Sequence, residues 1–277
     1  MAAPETAGSA GPDAGRADTP DARETAARPV PANLQGSRVV LITGAAQRMG
    51  AANARLLHAR GWRVLVHYRD SASAADALAS ELNAARIDSC RTLFADLGRD
   101  EDIQHLGESA LQAWGRVDAL VNNASSFYPT SVDTATPAQW DDLFASNARA
   151  PFFLAQALLP ALRESRGAIV SLLDIHARRP LQQHTLYCMA KAAHAMLTQS
   201  LAKELAPDVR VNGVAPGAIL WPSNGEPDPE VQQRILAGIP LARLGTPGDI
   251  ARTIAFLLED APYITGQIIA VDGGRSL

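Results

Sequence analysis

The chain has 277 residues, 47% of them hydrophobic and 19% charged, with a net charge of −4 at pH 7; this composition supports a buried core and, with no dense Lys/Arg patch, argues against nucleic acid as a partner. Cys90 and Cys188 stand far apart in no metal-ligand spacing, so neither a disulfide framework nor a metal site is expected. No run approaches the roughly 18 apolar residues of a membrane span, and no basic segment leads into an apolar one at the N-terminus, so the expected location is the cytoplasm.

Residues 1–36 are rich in Ala, Pro, Gly and Thr and almost lack large apolar side chains. Such a segment buries too little surface to offset its ordering entropy, and a disordered tail is expected there. From Ser37 onward, short β-branched runs alternate with Ala- and Leu-rich segments of helical period. Strands are expected at RVVLIT (38–43), RVLVHY (63–68), SCRTLFA (89–95), VDALVNN (117–123), AIVSLL (168–173), VRVNGVAP (209–216) and QIIAVD (267–272). Continuous apolar runs in short strands mean burial on both faces, as in a parallel sheet covered by helices. The expected fold is a single α/β domain over residues 37–277, a doubly wound parallel sheet of about seven strands.

The first strand runs into TGAAQRMGAANARLLHARG. Thr43 and Gly44 allow a tight turn and Gly50 opens a helix whose free amides favour an anion such as pyrophosphate. Arg48 replaces the usual middle glycine of this turn with a forked cation suited to phosphate or to a planar ligand. The second strand ends in His67 and Tyr68, followed by Arg69, Asp70 and Ser71, about where an NAD site wants an acid for its ribose. Arginine there suits a 2′-phosphate, so NADPH is expected over NADH. After the third strand, Asp96 and Leu97 of the ADL turn are placed to meet the adenine edge.

Tyr187 and Lys191 stand four apart, on one face of a helix. An ammonium beside a phenol stabilises phenolate and is expected to bring the phenol's pKa down toward the working range of a proton donor. Thirteen residues before the tyrosine, where a hydroxyl is expected, stands Asp174. His176 and His184 nearby have no acidic partner or ligand spacing and read as polar packing. WPSNGEPDPEVQQRI (221–235) reads as a mobile substrate loop, with Trp221 at its entrance. NARAPFFLAQALLPAL and LYCMAKAAHAMLTQSLAKEL are apolar over more than one face, which suggests subunit packing.

Taken together, TGxxxRxG at 43–50, NNA at 122–124, Asn147, YCMAK at 187–191 and APG at 215–217 resemble the short-chain dehydrogenase/reductase family across residues 37–277. The resemblance implies an NAD(P)-binding Rossmann fold and a homotetramer, with a dimer as the alternative. It makes Tyr187 the proton donor, gives Lys191 the nicotinamide ribose, and has Asn147 hold a relay water. Further cofactor contacts implied are Gly44, Arg48, Met49 and Gly50 in the turn, Asn123 and Ala124 after the fourth strand, and Pro216, Gly217 and Ile219 after the sixth. More narrowly, TGAAQRMG, VHYRDSA, NNASSFYPT, Asp174 and VAPGAILWP are similar to the pteridine reductases. That likeness implies a pterin or folate substrate lying against Phe127, with Arg48, Ser125, Asp174 and Tyr187 around it; Trp221 either lines the pterin pocket or anchors the loop. An ionised Asp174 cannot donate to an oxyanion but accepts from Tyr187 or from the N–H and amino groups of a pterin. The alternatives are a carbonyl or 3-oxoacyl reductase of the same family, and an NADPH-binding sensor without turnover.

Overall fold

The inner apolar runs form strands because helices cover both of their faces, and side chains alternate between two cores along them, whereas the two strands at the sheet edges are only partly covered. The computed structural model describes residues 37–221 and 225–277, so the tail expected over residues 1–36 lies outside the described residues. In chain order the strands are β1 (Val39–Ile42), β2 (Arg63–Tyr68), β3 (Cys90–Phe94), β4 (Ala119–Asn122), β5 (Ala168–Leu172), β6 (Arg210–Pro216) and β7 (Ile268–Val271). Within β1, Val40 and Ile42 enter the core formed with the helices on one face, while Val39 and Leu41 enter the core on the other.

All seven strands are parallel, in the order β3-β2-β1-β4-β5-β6-β7. The chain builds outward from β1 to β3, then returns to the other side of β1 with β4. This reversal makes the gap between the C-terminal ends of β1 and β4 the place where a doubly wound sheet opens a crevice. Helices α1 (Arg48–Ala59), α2 (Ala72–Ala85), α3 (Asp100–Trp114), α5 (Ala150–Glu164) and α6 (Thr185–Leu205) connect successive strands, and α8 (Pro247–Glu259) precedes β7. Among the described residues no helix is long and apolar enough to cross a membrane.

Two segments differ from their reading in the sequence. The 221–235 stretch is not loop throughout: α7 spans Pro229–Ala237, with proline at its start and Glu230 in its first turn, both favourable at a helix N-terminus. Residues 147–162 do not form one regular helix either. Helix α4 (Pro137–Phe144) passes through a π-helical turn, Ala145–Arg149, before α5 begins. Pro151 supplies a reason, since it has no N–H to give the carbonyl four residues back, that of Asn147.

The end of β2 is fixed by a buried histidine. His67 Nδ1 accepts the Gly44 N–H at 2.9 Å and Nε2 reaches the Ala95 carbonyl at 3.1 Å, so one neutral ring ties β1, β2 and β3 together. Burial pushes its pKa down to about 4, with the Ala95 carbonyl pulling weakly the other way. The folded protein therefore resists a proton that the unfolded chain accepts near pH 6.5. The stability from neutral His67 is complete above pH 6.5 and falls as pH drops toward 4, by about 3 kcal/mol over that window. Urea unfolding between pH 7 and pH 4 of the parent and of His67→Gln is expected to show a shallower pH dependence in the variant, by about one proton. Parallel curves would refute the assignment.

Candidate active site

A cleft of about 1180 Å³ opens at the C-terminal ends of the strands. Its floor begins with the turn after β1. Gly44 has φ +60, in the left-handed region that favours glycine, and a Cβ there would meet Ala124 Cα at 3.0 Å. At Gly50 a Cβ would lie 2.3 Å from the Gly44 carbonyl oxygen and 2.7 Å from Ala45 Cα, so only glycine lets α1 start this close to the turn. The side chain of Gln47, the residue before α1, makes no capping bond, and the first amides of α1 remain available. Arg48 takes φ +51 and lines the cleft with Met49. Its guanidinium donates to the Trp221 carbonyl at 2.9 Å, joining the turn to the segment that leads to α7.

At one end of the cleft lie Tyr68, Arg69, Asp70 and Ser71, with Leu97 beyond them. Arg69 donates to Asp70 at 2.8 Å and stands 3.9 Å from Asp96, and these partners hold the guanidinium pKa up. Ser71 precedes α2 without a side-chain capping bond. Asp96 does not line the cleft; its carboxylate accepts the Gly98 amide and faces Arg69. His67 lines the cleft, yet both ring nitrogens are engaged with backbone, so it supports the turn rather than presenting a polar atom. Asn123 behaves likewise, donating to the carbonyls of Thr43 and Gly44. After β6, Pro216, Gly217 and Ile219 form the opposite wall; a Cβ on Gly217 would strike Asp272 at 2.6 Å.

The catalytic candidates converge at the centre. Asp174 follows β5 and its two oxygens have separate tasks. One accepts the His176 backbone N–H at 2.8 Å, and the other accepts the Tyr187 hydroxyl at 2.7 Å. Lys191, fully buried one helical turn beyond Tyr187, donates to the Leu172 carbonyl at 3.0 Å. Its ammonium lies 5.8 Å from the centre of the tyrosine ring. Burial pushes the Lys191 pKa down to about 8, against the opposing pull of Asp174. The Tyr187 phenol moves opposite to the expectation from its lysine. Burial first, and then the Asp174 carboxylate, push it far up, with only a weak contrary effect from Ser125. This phenol is a firmly protonated donor.

Asn147 is fully buried in the π-helical turn and does not line the cleft. Its carboxamide is satisfied by protein: Oδ1 accepts from the Ser125 hydroxyl at 2.7 Å, and Nδ2 donates to the carbonyls of Ser126 and Leu143. A relay water at this residue would use the backbone carbonyl, to which Pro151 gives no N–H. Phe127 is 55% exposed, stands edge-to-face with Tyr187 at 4.8 Å and stacks on His184 at 4.7 Å. Among the cleft residues that the sequence reading missed, four carry polar or charged groups that bear on the site. His176 lines it, Tyr128 donates to Asp142 at 2.8 Å within it, and Arg275 enters from the C-terminus. Sequence spacing holds no signal for the last three, since topology alone brings them together.

Comparison with known proteins agrees with this geometry. A family model described as enoyl-(acyl carrier protein) reductase matches residues 44–276. Pteridine reductase 1 of Leishmania tarentolae is 38% identical over 86% of this chain and 96% of its own length. The uncharacterized oxidoreductase YmfI of Bacillus subtilis is 37% identical over 86% of this chain and 98% of its own. The 3-oxoacyl-[acyl-carrier-protein] reductase FabG of Staphylococcus aureus is 34% identical over 87% and 99%. With the parallel seven-stranded sheet and the Asp174, Tyr187 and Lys191 cluster lining the cleft at its C-terminal end, these matches establish that the chain belongs to the short-chain dehydrogenase/reductase family, as an oxidoreductase of that family.

Proposed function

We propose that this protein is an NADPH-dependent pteridine reductase, delivering hydride to a dihydropterin or related pterin with Tyr187 as proton donor. The observation that carries the reading is Asp174: its carboxylate accepts the Tyr187 hydroxyl in a cleft walled by an exposed aromatic ring, Phe127. A carbonyl substrate develops negative charge on oxygen. A carboxylate about 4 Å from that charge opposes it by about 4 kcal/mol at an effective dielectric of 20. A pterin instead presents ring N–H and amino groups, which donate to a carboxylate in charge-assisted bonds. The 38% identity to a pteridine reductase supports the same reading.

The residues fit a dinucleotide: Gly50 leaves the turn bare, α1 offers uncapped amides, and Arg69 and Ser71 suit a 2′-phosphate. When bound, the cofactor supplies the hydride. Tyr187 passes its proton to the substrate nitrogen, and the Lys191 ammonium, held by the Leu172 carbonyl, steadies the phenolate left behind. Asp174 orients the phenol before transfer and takes up substrate donors when the phenol turns away. Phe127 offers its open side to a flat heterocycle. The thiols of Cys90 and Cys188 are free, in keeping with a cytoplasmic setting. Exposed Phe152 and Phe153 on α5, and Met189 and Met196 on α6, supply apolar surface for a homotetramer.

A second reading, 3-oxoacyl reduction, has the FabG likeness in its favour. The two separate in a substrate panel with NADPH. The parent is expected to reduce dihydrobiopterin or dihydrofolate and to leave a 3-oxoacyl thioester nearly untouched; the reverse outcome would overturn the pterin reading. Asp174→Ser is expected to lower pterin turnover by about 100-fold, the scale of a lost charge-assisted contact and proton partner. Tyr187→Phe is expected to abolish turnover while NADPH binding, followed by its fluorescence, persists. A parent that binds NADPH and turns over no substrate would point to a sensor.

Two further outcomes follow from the charges. Because Lys191 titrates near 8, kcat is expected to fall as pH rises through that value, when the ammonium is lost; a flat profile to pH 10 would contradict its role. Arg69→Ala is expected to lower kcat/KM with NADPH by about tenfold while sparing NADH, and Asp70→Ala to raise the preference for NADPH by freeing the guanidinium. Equal losses with both cofactors would remove Arg69 from 2′-phosphate recognition.

A further inference from the structure

We propose that Arg275 receives an anionic group at the far end of the substrate, so that the enzyme favours pterins whose side chain ends in a carboxylate over those with a neutral side chain. This inference rests on the pteridine-reductase reading and adds a specificity-determining residue to it. Several cationic or potentially cationic side chains line the cleft, and all but one are engaged. Arg48 donates to the Trp221 carbonyl, Arg69 to Asp70, and Lys191 to the Leu172 carbonyl, while the His176 ring bonds the Arg179 carbonyl. Arg275 is half-buried, lines the same cleft, and has no side-chain hydrogen bond or ion pair among the described residues.

Its nearest acid along the chain offers nothing. Asp272 uses one carboxylate oxygen for the Gly274 amide at 2.9 Å and the other for the Ser276 amide at 2.7 Å. The backbone that carries Arg275 is nonetheless well held. Gly273 and Gly274 take φ +65 and +87, the Gly273 carbonyl accepts the Leu241 amide, and the Asp272 carbonyl accepts the Arg275 amide. A guanidinium that is partly desolvated, firmly based and unpaired is suited to a planar anion supplied from outside.

Topology says which half of the cleft it serves. The turn bearing Arg275 follows β7, at one edge of the sheet, whereas the Gly44 turn and Arg69 follow β1 and β2 toward the other edge. Asp174, after β5, and Gly217, after β6, lie between. Arg275 thus stands beyond the reacting centre, away from the turn suited to phosphate, with Trp221 and Ile235 of the apolar wall lining the same cleft. A substrate whose pterin lies against Phe127 and Asp174 would send its side chain in this direction.

The test compares kcat/KM for dihydrofolate, which carries carboxylates, and dihydrobiopterin, whose side chain is neutral, in the parent, Arg275→Gln and Arg275→Lys. Arg275→Gln is expected to lower the dihydrofolate value by about tenfold, mainly through KM, and to leave dihydrobiopterin within about twofold, as suits one lost charge-assisted contact. Arg275→Lys is expected to recover part of the loss. The KM for NADPH and the melting temperature should not move, since the side chain serves neither cofactor nor fold. Equal losses with both substrates, no loss with either, or a raised KM for NADPH would overturn the assignment while leaving the pteridine reading in place. A parent inactive on both substrates would overturn that reading, and this inference with it.

Discussion

The cleft depends on a buried polar lock between the ends of β1 and β4. Main-chain pairing of the two strands ends at Ile42 and Val121, where the sheet reverses its order and begins to part. Side chains take over from there. Thr43 Oγ1 accepts the amides of Asn123 at 2.9 Å and Ala124 at 3.0 Å, and Asn123 Nδ2 donates to the carbonyls of Thr43 at 2.8 Å and Gly44 at 3.0 Å. These bonds hold the Gly44 turn against the segment that carries Ser125 and Phe127. Losing a partner in such a network leaves buried backbone unsatisfied, at about 1–3 kcal/mol per group. His67 does the same on the other side of β1, so the turn is braced from both neighbouring strands.

On that frame the proposed chemistry depends on one carboxylate near one ammonium. Lys191 and Asp174 bring opposite charges to the centre, and the phenol stays protonated because burial and Asp174 outweigh the weak contrary effect of Ser125. The hydroxyl expected at position 174 has a counterpart across the cleft. Ser125, anchored to Asn147 at 2.7 Å, is the hydroxyl that favours the ionised form of Tyr187. In the proposed reaction a proton leaving Tyr187 would go toward a substrate that draws it away from Asp174, as a ring nitrogen gaining basicity on hydride arrival would do. A carbonyl oxygen gaining charge would meet the carboxylate's repulsion at the same moment.

Much of this was legible in the sequence, and the reasons differ by element. The inner strands were visible because a parallel strand buried on both faces is apolar nearly throughout, and the edge strands because short β-branched and aromatic runs stand between helical segments. Tyr187 and Lys191 were visible because helical spacing alone puts them on one face. The direction of the Tyr187 shift was not, since burial is a property of the whole fold. Helix α7 was hidden by the Pro, Gly and Asn residues just before it. The irregular turn at Asn147 was hidden by apolar residues of good helical period, although Pro151 carried the signal against a regular helix. Arg275 was illegible because it stands 84 residues from Lys191 in the chain, by the difference of their numbers, and only the β6 and β7 pairing brings its turn to the cleft.

Overall likeness separates the two substrate readings poorly, since relatives named for pterin and for 3-oxoacyl reduction both align along nearly their whole lengths, at 38% and 34% identity. Both kinds of enzyme need the same sheet and the same glycine turn, so most shared residues report the fold. Discrimination rests on the few side chains that meet the substrate and not the cofactor. Among these, a carboxylate at 174 is the one that changes the sign of the field at the reacting atom. An aromatic ring or an arginine at the cleft wall adds attraction for a flat or anionic ligand, but neither repels a carbonyl substrate as it reacts. The repulsive element is the stronger argument for the proposed substrate, because it would act on the transition state of carbonyl reduction, where binding alone cannot compensate for it.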